Sequence, residues 1–132
     1  MNVLVVDDDP DVLELVAEMF ERIGCHCGQA RNISQALQLL EYFHWNLVVT
    51  DLNIGDENGY DLAVAVKSGK KSTKVMIMTG SGIHGMHTAE ADGIVDEWIF
   101  KPFGFPEIID TLERLKLRPA VSREYRFLSH CA

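Results

Sequence analysis

The chain has 132 residues, of which 47% are apolar and 24% are charged, and these values predict one soluble globular domain. Its net charge of -8 argues against binding nucleic acid or an anionic membrane through an overall positive field. No apolar run approaches the roughly 20 residues of a membrane-spanning helix, and the first residues do not resemble a signal peptide, so a cytoplasmic location is expected.

The first strand and helix have clear boundary signals. The apolar run 3–6 predicts a buried strand. Asp9 can cap the following helix, with Pro10 at its first position and Gly24 at its end. Helical spacing predicts one buried face, made of Val12, Leu15, Val16, Met19 and Ile23. Capping explains Asp9 and Pro10 but leaves the two acids before them without a structural role.

A second strand and helix follow with weaker signals. Residues 25–29 predict a short strand in which Cys25 and Cys27 face the same side as small core residues. Three cysteines at this spacing do not indicate a disulfide framework or a structural zinc site. Asn32 can cap the next helix, whose buried face is predicted to be Ile33, Ala36, Leu37 and Leu40.

Three more strands and three more helices complete the pattern. The strands read WNLVVTD, KVMIMTG and EWIFKP, and the continuous apolar run in the first is typical of a strand covered on both faces. A third helix is predicted over residues 60–67, and the glycine-containing stretch SGIHGMHTAEADG gives the weakest signal, for a fourth. The fifth helix is predicted to bury Phe105, Ile108, Ile109, Leu112 and Leu115.

Five strands that alternate with helices predict an α/β fold with a parallel sheet and right-handed crossovers. In such sheets, ligands bind outside the carboxyl ends of the strands. Polar residues occur at four of these ends: Asp7 and Asp8 after the first strand, Asp51 after the third, Thr79 after the fourth and Lys101 after the fifth. We therefore expect three carboxylates, a hydroxyl and an ammonium group to meet at one rim.

This set of groups indicates phosphoryl chemistry with a metal ion. Three neighbouring carboxylates do not all stay ionised without compensation, and Mg²⁺ prefers carboxylate and water oxygens as ligands. An aspartate beside such a cation can attack a phosphoryl donor. A lysine would neutralise the charge of the transferred group, and a threonine hydroxyl could hydrogen-bond one of its oxygens.

The blocks VLVVDDDP, LVVTDLNIGDENG, VMIMTG and EWIFKPF, in this order and each at a strand end, resemble the signature blocks of the response-regulator receiver domain of bacterial two-component signalling. The resemblance covers about residues 2–117. It implies a flavodoxin-like, doubly wound, five-stranded parallel sheet of order 2-1-3-4-5 with five helices. We accordingly predict a receiver domain over residues 1–118 and a C-terminal tail or truncated linker over residues 119–132.

The resemblance implies a role for each acid of the rim. Asp51 would be the phosphoacceptor. Asp8 would bind Mg²⁺ directly, and Asp7 would act through a bound water. Asn53, two residues after the acceptor, would offer its backbone carbonyl to the metal, which Asp51 also contacts.

The resemblance also implies roles for three residues of the last two strands. Lys101 would pair with the phosphoryl group, and its bond to the following proline is typically cis in the family. Thr79 would be the switch hydroxyl, and Trp98 takes the position of the switch aromatic, which is usually Tyr or Phe. The chain departs from the family in this bulkier ring, which would hinder an inward rotation, and in Gly55, which replaces a frequent proline and should loosen its loop.

The predicted function is a phosphorylation-dependent signalling switch rather than a conventional enzyme, although it could remove its own phosphoryl group. A histidine kinase or phosphotransfer protein would donate to Asp51 in the presence of Mg²⁺. The response would alter the face formed by the fourth helix, fifth strand and fifth helix, which would contact a downstream protein effector, a missing output domain or a second copy of the chain. Direct contacts with nucleic acid or a membrane are not expected.

Two other classes share some of these features. A small phosphohydrolase of the haloacid-dehalogenase type would use Asp7 as nucleophile and Asp9 as a second acid, but Pro10 stands where a small hydroxyl residue is expected. A flavodoxin-like nucleotide or flavin carrier would need a phosphate-binding loop after the first strand, and the acidity of this loop argues against that role.

Overall fold

The computed structural model describes residues 1–69, 72–80 and 93–119. Its strands are β1 (Asn2–Val6), β2 (His26–Ala30), β3 (Leu47–Asp51), β4 (Asn53–Ile54), β5 (Glu57–Asn58), β6 (Lys74–Thr79) and β7 (Glu97–Phe100). Its helices are α1 (Pro10–Arg22), α2 (Ile33–Tyr42), α3 (Gly59–Gly69) and, corresponding to the predicted fifth helix, α4 (Phe105–Arg114). Most of the fourth predicted helix (residues 81–93) and most of the predicted tail (residues 119–132) lie outside the described residues.

Five of the strands form one parallel sheet in the order β2-β1-β3-β6-β7, which confirms the predicted order 2-1-3-4-5. Its central strands are buried almost throughout because the sheet is covered on both faces. One apolar core lies between the sheet and the helices α2 and α3, and the other lies between the sheet and the helices α1 and α4. β4 and β5 form a separate antiparallel hairpin directly after β3.

The boundary signals of α1 are confirmed, but its predicted buried face is partly wrong. The Asp9 carboxylate accepts a hydrogen bond from the N–H of Asp11, and Gly24 follows the helix with a φ of 101°. The residues of α1 that are buried are Leu13, Val16, Ala17 and Phe20, and Leu15 is 58% exposed. Of the predicted face, Val16 and Ile23 are buried and Val12 and Met19 are half-buried against the same core, so only Leu15 is wrong. The centre of the face is shifted because Leu13 and Phe20 also turn toward the sheet.

The second core region largely follows its prediction. The side chain of Asn32 caps α2 by accepting from the N–H of Gln35 at 2.8 Å, but Leu37 is 42% exposed and does not belong to the buried face. Cys25 and the partly buried Cys27 pack in the other core, between the sheet and the helices α1 and α4, and burial raises the pKa of their thiols to about 11 and about 12. Both thiols are therefore protonated and unreactive near neutral pH.

Hydrogen bonds of the sheet continue beyond the ends of its strands toward the predicted rim. The N–H of Asp7 donates to Ala30 O at 3.1 Å, and the N–H of Lys101 donates to Thr79 O at 2.9 Å. Between them, the N–H of Leu52 donates to Met78 O at 3.0 Å. The backbone that carries the rim side chains is thus held as part of the sheet. Within the described ranges, no helix is both long and apolar enough to cross a membrane.

Candidate functional site

Three carboxylates meet at the carboxyl edge of the sheet, as the sequence predicts. One ligand oxygen from each of Asp7, Asp8 and Asp51 can be chosen so that all three lie within 4.8 Å of one another. Asp7 is 1% exposed, Asp8 is exposed, and the side chain of Asp51 is 16% exposed. The cluster therefore extends from the buried end of β1 to the surface, with the predicted acceptor in an accessible position between them.

Lys101 reaches this cluster from the end of β7. Its Nζ lies 3.1 Å from Asp51 Oδ2 and 3.4 Å from Asp7 Oδ2. The Lys101–Pro102 peptide bond is cis, in agreement with the expectation drawn from the resemblance. The ammonium group thus contacts two of the three carboxylates, and Asp8 is left nearest to solvent.

The pKa shifts follow from this arrangement. Burial raises the pKa of Asp7, although the N–H of Asp9 and the charge of Lys101 oppose this effect. Burial also tends to lower the pKa of Lys101, but the hydrogen bond and charge of Asp51, together with the charge of Asp7, outweigh it and raise that pKa. Lys101 therefore remains a cation, but the carboxylates still outnumber it. This excess of anionic oxygen donors suits a hard divalent cation such as Mg²⁺.

Asn53 lies on the hairpin that follows the acceptor. Its N–H donates to Asp51 Oδ1 at 3.4 Å, and it pairs with Asn58 in the β4–β5 ladder. The side chain is exposed, so the predicted contribution of this residue would come from its backbone. The structure therefore brings Asn53 beside the acceptor and ties it to the hairpin.

Gly55 has a specific conformational role in the same hairpin. It is the first residue of the two-residue turn between Ile54 and Glu57, and its φ is +59°. Primed hairpin turns need a positive φ at this position, whereas proline is fixed near −65°. A Cβ on Gly55 would stand 3.9 Å from Asp8 Oδ2, so the turn passes close to the acidic cluster. Glycine at position 55 thus permits a hairpin turn that proline could not form there.

Gly59 is a residue of the site that sequence reasoning missed. A Cβ at this position would lie 2.1 Å from the backbone oxygen of Asp51, and the N–H of Gly59 donates to Leu52 O at 2.7 Å. Only glycine lets α3 begin this close to the acceptor. The sequence offered a signal in the turn-rich residues before the helix, but it did not reveal the contact with β3.

Thr79 and Trp98 occupy different surroundings. Thr79 ends β6, is 2% exposed, and its carbonyl accepts the backbone N–H of Lys101, which places it at the rim. Trp98 is 8% exposed and lies in the core that α2 and α3 cover, where it pairs with Ile77 of the neighbouring strand. In the described part of the chain, its indole N–H has no hydrogen-bond partner. The predicted switch aromatic is therefore a core side chain in this conformation.

Comparison with known families and proteins gives a consistent result. The family model described as response regulator receiver domain matches residues 3–113. The transcriptional regulatory protein BasR of Escherichia coli K12 is 30% identical over 108 residues, which are 82% of this chain and 49% of BasR. The sensory transduction protein LytR of Staphylococcus saprophyticus is 29% identical over 122 residues, which are 88% of this chain and 46% of LytR. The chain thus spans about half the length of these curated relatives.

Solved structures share the fold. The response regulator protein TrrA of Thermotoga maritima, crystallised in complex with Mg²⁺ and BeF, is 26% identical with a TM-score of 0.75, over 86% of this chain and 97% of that one. The signal receiver domain of an HD domain-containing protein from Pseudomonas fluorescens Pf-5 has a TM-score of 0.79 at 22% identity, over 87% of this chain and 94% of that one. The second likeness supports the fold alone.

Proposed function

Because this chain belongs to the family of response regulator receiver domains, we propose that it is a signalling switch in which Asp51 accepts a phosphoryl group with the help of Mg²⁺. The observation that carries this proposal is the position of Lys101 Nζ, 3.1 Å from Asp51 Oδ2, beside a cluster of three carboxylates. An accessible acceptor, a fixed cation and a set of metal-binding oxygens are the parts that phosphoryl transfer needs.

In the proposed reaction, an Asp51 carboxylate oxygen attacks the phosphorus of a phosphohistidine. A phosphorus–oxygen bond forms, the phosphorus–nitrogen bond breaks, and the released imidazole keeps the electron pair and takes up a proton. Lys101 orients the attacking carboxylate and pairs with the transferred group. Asp8, Asp51 and the backbone carbonyl of Asn53, with Asp7 acting through water, would hold Mg²⁺, which offsets the phosphoryl charge when bound.

After transfer, the side chains around the acceptor would respond to the new charge. The Thr79 hydroxyl would move to bond a phosphoryl oxygen, since it lies at the end of the strand next to β3. Trp98 would be the aromatic residue coupled to this movement. Its present burial in the core supports an inward position, and its rotation remains part of the proposal.

The proposed partners follow from the family and from the fraction of its relatives' length that the chain covers. A histidine kinase or a phosphotransfer protein in the cytoplasm would donate the phosphoryl group. The output would be contact with a downstream protein effector or with an output domain, because the chain spans only about half of the curated relatives. The face that includes β7 and α4 would carry these contacts or those of a homodimer. Direct contact with nucleic acid or a membrane is not part of the proposal.

The haloacid-dehalogenase alternative gains no support. Its nucleophile would be Asp7, which is 1% exposed and already accepts the N–H of Asp9. Its second acid would be Asp9, whose carboxylate caps α1. Asp7 is thus buried away from a phosphate ester, and Asp9 already serves as the cap of α1. The acidic loop at the end of β1 also argues against the flavin-carrier alternative, because its carboxylates would repel the phosphate of a nucleotide.

The proposal is tested by incubating the chain with Mg²⁺ and acetyl phosphate and measuring its intact mass. We expect wild type to gain the mass of one phosphoryl group, and Asp51→Asn to gain none. Asp56→Asn is the control, because it removes an exposed carboxylate from the neighbouring turn. An equal gain in Asp51→Asn, or a gain that a chelator does not reduce, would count against the proposal.

A further inference from the structure

The hairpin after the acceptor makes a contact that neither the family resemblance nor the proposed reaction requires. Glu57 lies on β5, and its Oε1 accepts a hydrogen bond from the backbone N–H of Ile33 at 3.2 Å. Ile33 is the first residue of α2, 24 positions earlier in the chain. The contact therefore joins the β4–β5 hairpin to the start of α2, two segments that are distant in sequence.

This contact adds to the capping of α2. The first N–H groups of a helix have no partner within the helix. Asn32 Oδ1 accepts the N–H of Gln35, and Gln35 Oε1 accepts the N–H of Arg31, both at 2.8 Å. The N–H of Ile33 is satisfied from outside by Glu57, whose negative charge also suits the positive end of the helix dipole. The contact is thus favourable in both geometry and charge.

The same hairpin carries backbone that lies beside the acidic cluster. Glu57 pairs with Ile54 across the ladder, so fixing Glu57 also fixes the residues on either side of Ile54. Asn53 donates its N–H to Asp51, and Gly55 passes beside Asp8. The far end of the hairpin is closed by the bond from Gly59 N–H to Leu52 O. Glu57 is therefore the link between α2 and the backbone around the metal-binding oxygens.

We propose that Glu57 is a positioning residue, which fastens the β4–β5 hairpin to the start of α2 and thereby holds the Asn53 backbone ready for the divalent cation. This inference rests on the proposed function. Holding the hairpin in place before binding reduces the ordering cost that the cation must overcome. We therefore expect Glu57 to raise the Mg²⁺ affinity relative to a chain without this contact. Glu57 itself takes no direct part in the attack on phosphorus.

The first test compares the Mg²⁺ affinities of Glu57 variants. Each titration is monitored by calorimetry and by amide chemical shifts in NMR spectra. We expect Glu57→Ala to weaken Mg²⁺ binding by about two- to twelvefold, the range that corresponds to the loss of one hydrogen bond. Glu57→Gln keeps an oxygen acceptor and should restore most of the affinity. Asp56→Ala removes the same charge from the same turn, and it should have a smaller effect than Glu57→Ala.

Phosphorylation by acetyl phosphate gives a second measurement that a general loss of stability would not reproduce. Glu57→Ala should slow the reaction when Mg²⁺ is limiting and should match wild type when Mg²⁺ saturates the site. A lower rate at saturating Mg²⁺ would show that Glu57 acts beyond metal positioning and would overturn the inference.

The donor side of the bond can be removed independently. Ile33→Pro deletes the N–H at the first position of α2, where proline is well tolerated. Ile33→Ala is its control, because it shortens the same side chain but keeps the N–H. We expect Ile33→Pro, relative to Ile33→Ala, to weaken Mg²⁺ binding by the same factor as Glu57→Ala. Adding Glu57→Ala to Ile33→Pro should cause no further loss.

Each outcome separates this inference from the proposed function. A wild type that binds Mg²⁺ but accepts no phosphoryl group would refute the function, and the titrations would still test the role of Glu57. A wild type that is phosphorylated, with equal Mg²⁺ affinity in Glu57→Ala and Asp56→Ala, would overturn the inference and leave the function intact. Additive losses in the double variant would overturn it as well. If Ile33→Pro does not fold, the Mg²⁺ affinities of Glu57→Ala, Glu57→Gln and Asp56→Ala still test the role of Glu57.

Discussion

At the scale of single residues, the proposed acceptor, Asp51, depends on a glycine to which the proposed reaction assigns no role. Gly59 starts α3 against the backbone carbonyl of Asp51, where a Cβ would stand only 2.1 Å from the oxygen. Backbone atoms held in a sheet cannot move aside as the end of a flexible side chain can. Any larger residue must therefore displace either α3 or the acceptor strand.

We expect Gly59→Ala to lower the free energy of unfolding by about 1–3 kcal/mol, the usual cost of forcing extra atoms into a packed site. Urea denaturation measures this change, and phosphorylation by acetyl phosphate should also slow because Asp51 shifts. Gly69→Ala is the matched control in the same helix, since none of the residues that the structure describes lies within 4 Å of its added Cβ. That variant should range from neutral to about 1 kcal/mol more stable. Similar results for both variants would contradict the proposed contact.

The rim residues differ in how far the sequence could predict them. Asp8, Asp51 and Lys101 are charged groups placed directly after apolar strands, so a parallel sheet was enough to bring them together. Gly59 and Glu57 could not be identified in this way. Their importance comes from contacts across the hairpin and with α2, and a glycine or an exposed acid in a turn is ordinary without those contacts.

At the scale of elements, strands were easier to predict than the orientation of helices. A strand buried on both faces shows a continuous apolar run, which marks its position in the sequence whichever face each side chain takes. In α1, two overlapping sets of apolar residues satisfy helical spacing, and the sequence alone did not distinguish them. The choice is made by packing, because Leu13 and Phe20 fill the space beside β1 and leave Leu15 in solvent. The β4–β5 hairpin was not predicted, since two-residue strands carry no periodic pattern.

This orientation of α1 predicts opposite responses at two neighbouring leucines. Leu13→Ala should lower the free energy of unfolding by about 2–4 kcal/mol, because it removes a 4% exposed side chain from the core. Leu15→Ala should change it by less than about 0.5 kcal/mol, as is usual for exposed positions. Urea denaturation of both variants checks the prediction. A larger loss for Leu15→Ala would mean that the helix presents the face expected from the sequence.

At the scale of the whole molecule, the charges of the acidic cluster affect the stability of the fold. Burial makes the ionised form of Asp7 unfavourable in the folded chain, although Lys101 reduces this effect. The site thus keeps anionic oxygens together at some cost in stability, and a bound cation would remove that cost. Such a chain should be more stable with its metal than without it.

The pH dependence of stability follows from the raised pKa of Asp7. The folded chain takes up a proton at this carboxyl more readily than the unfolded chain does. The resulting stabilisation is fully present below the ordinary pKa near 3.8 and is lost as the pH rises through the raised pKa. We therefore expect Asp7→Asn, in chelator, to reduce this decline and to be more stable than wild type near pH 7.

Urea denaturation across this pH range checks the expectation, with Asp9→Asn as a control at an exposed acid. Added Mg²⁺ should stabilise wild type and should stabilise Asp7→Asn much less. A steeper decline in Asp7→Asn than in wild type would mean that burial of this carboxyl is not what raises its pKa.

The hydrogen bonds that carry the sheet ladder past the ends of its strands have a consequence for substitutions elsewhere in the chain. Asp7, Leu52 and Lys101 are anchored by the same network that closes the sheet, rather than by the outlying loops. Substitutions in the outlying loops should therefore leave the spacing of these three backbone positions unchanged. The geometry of the acidic site is in this way independent of the surface that a partner would contact.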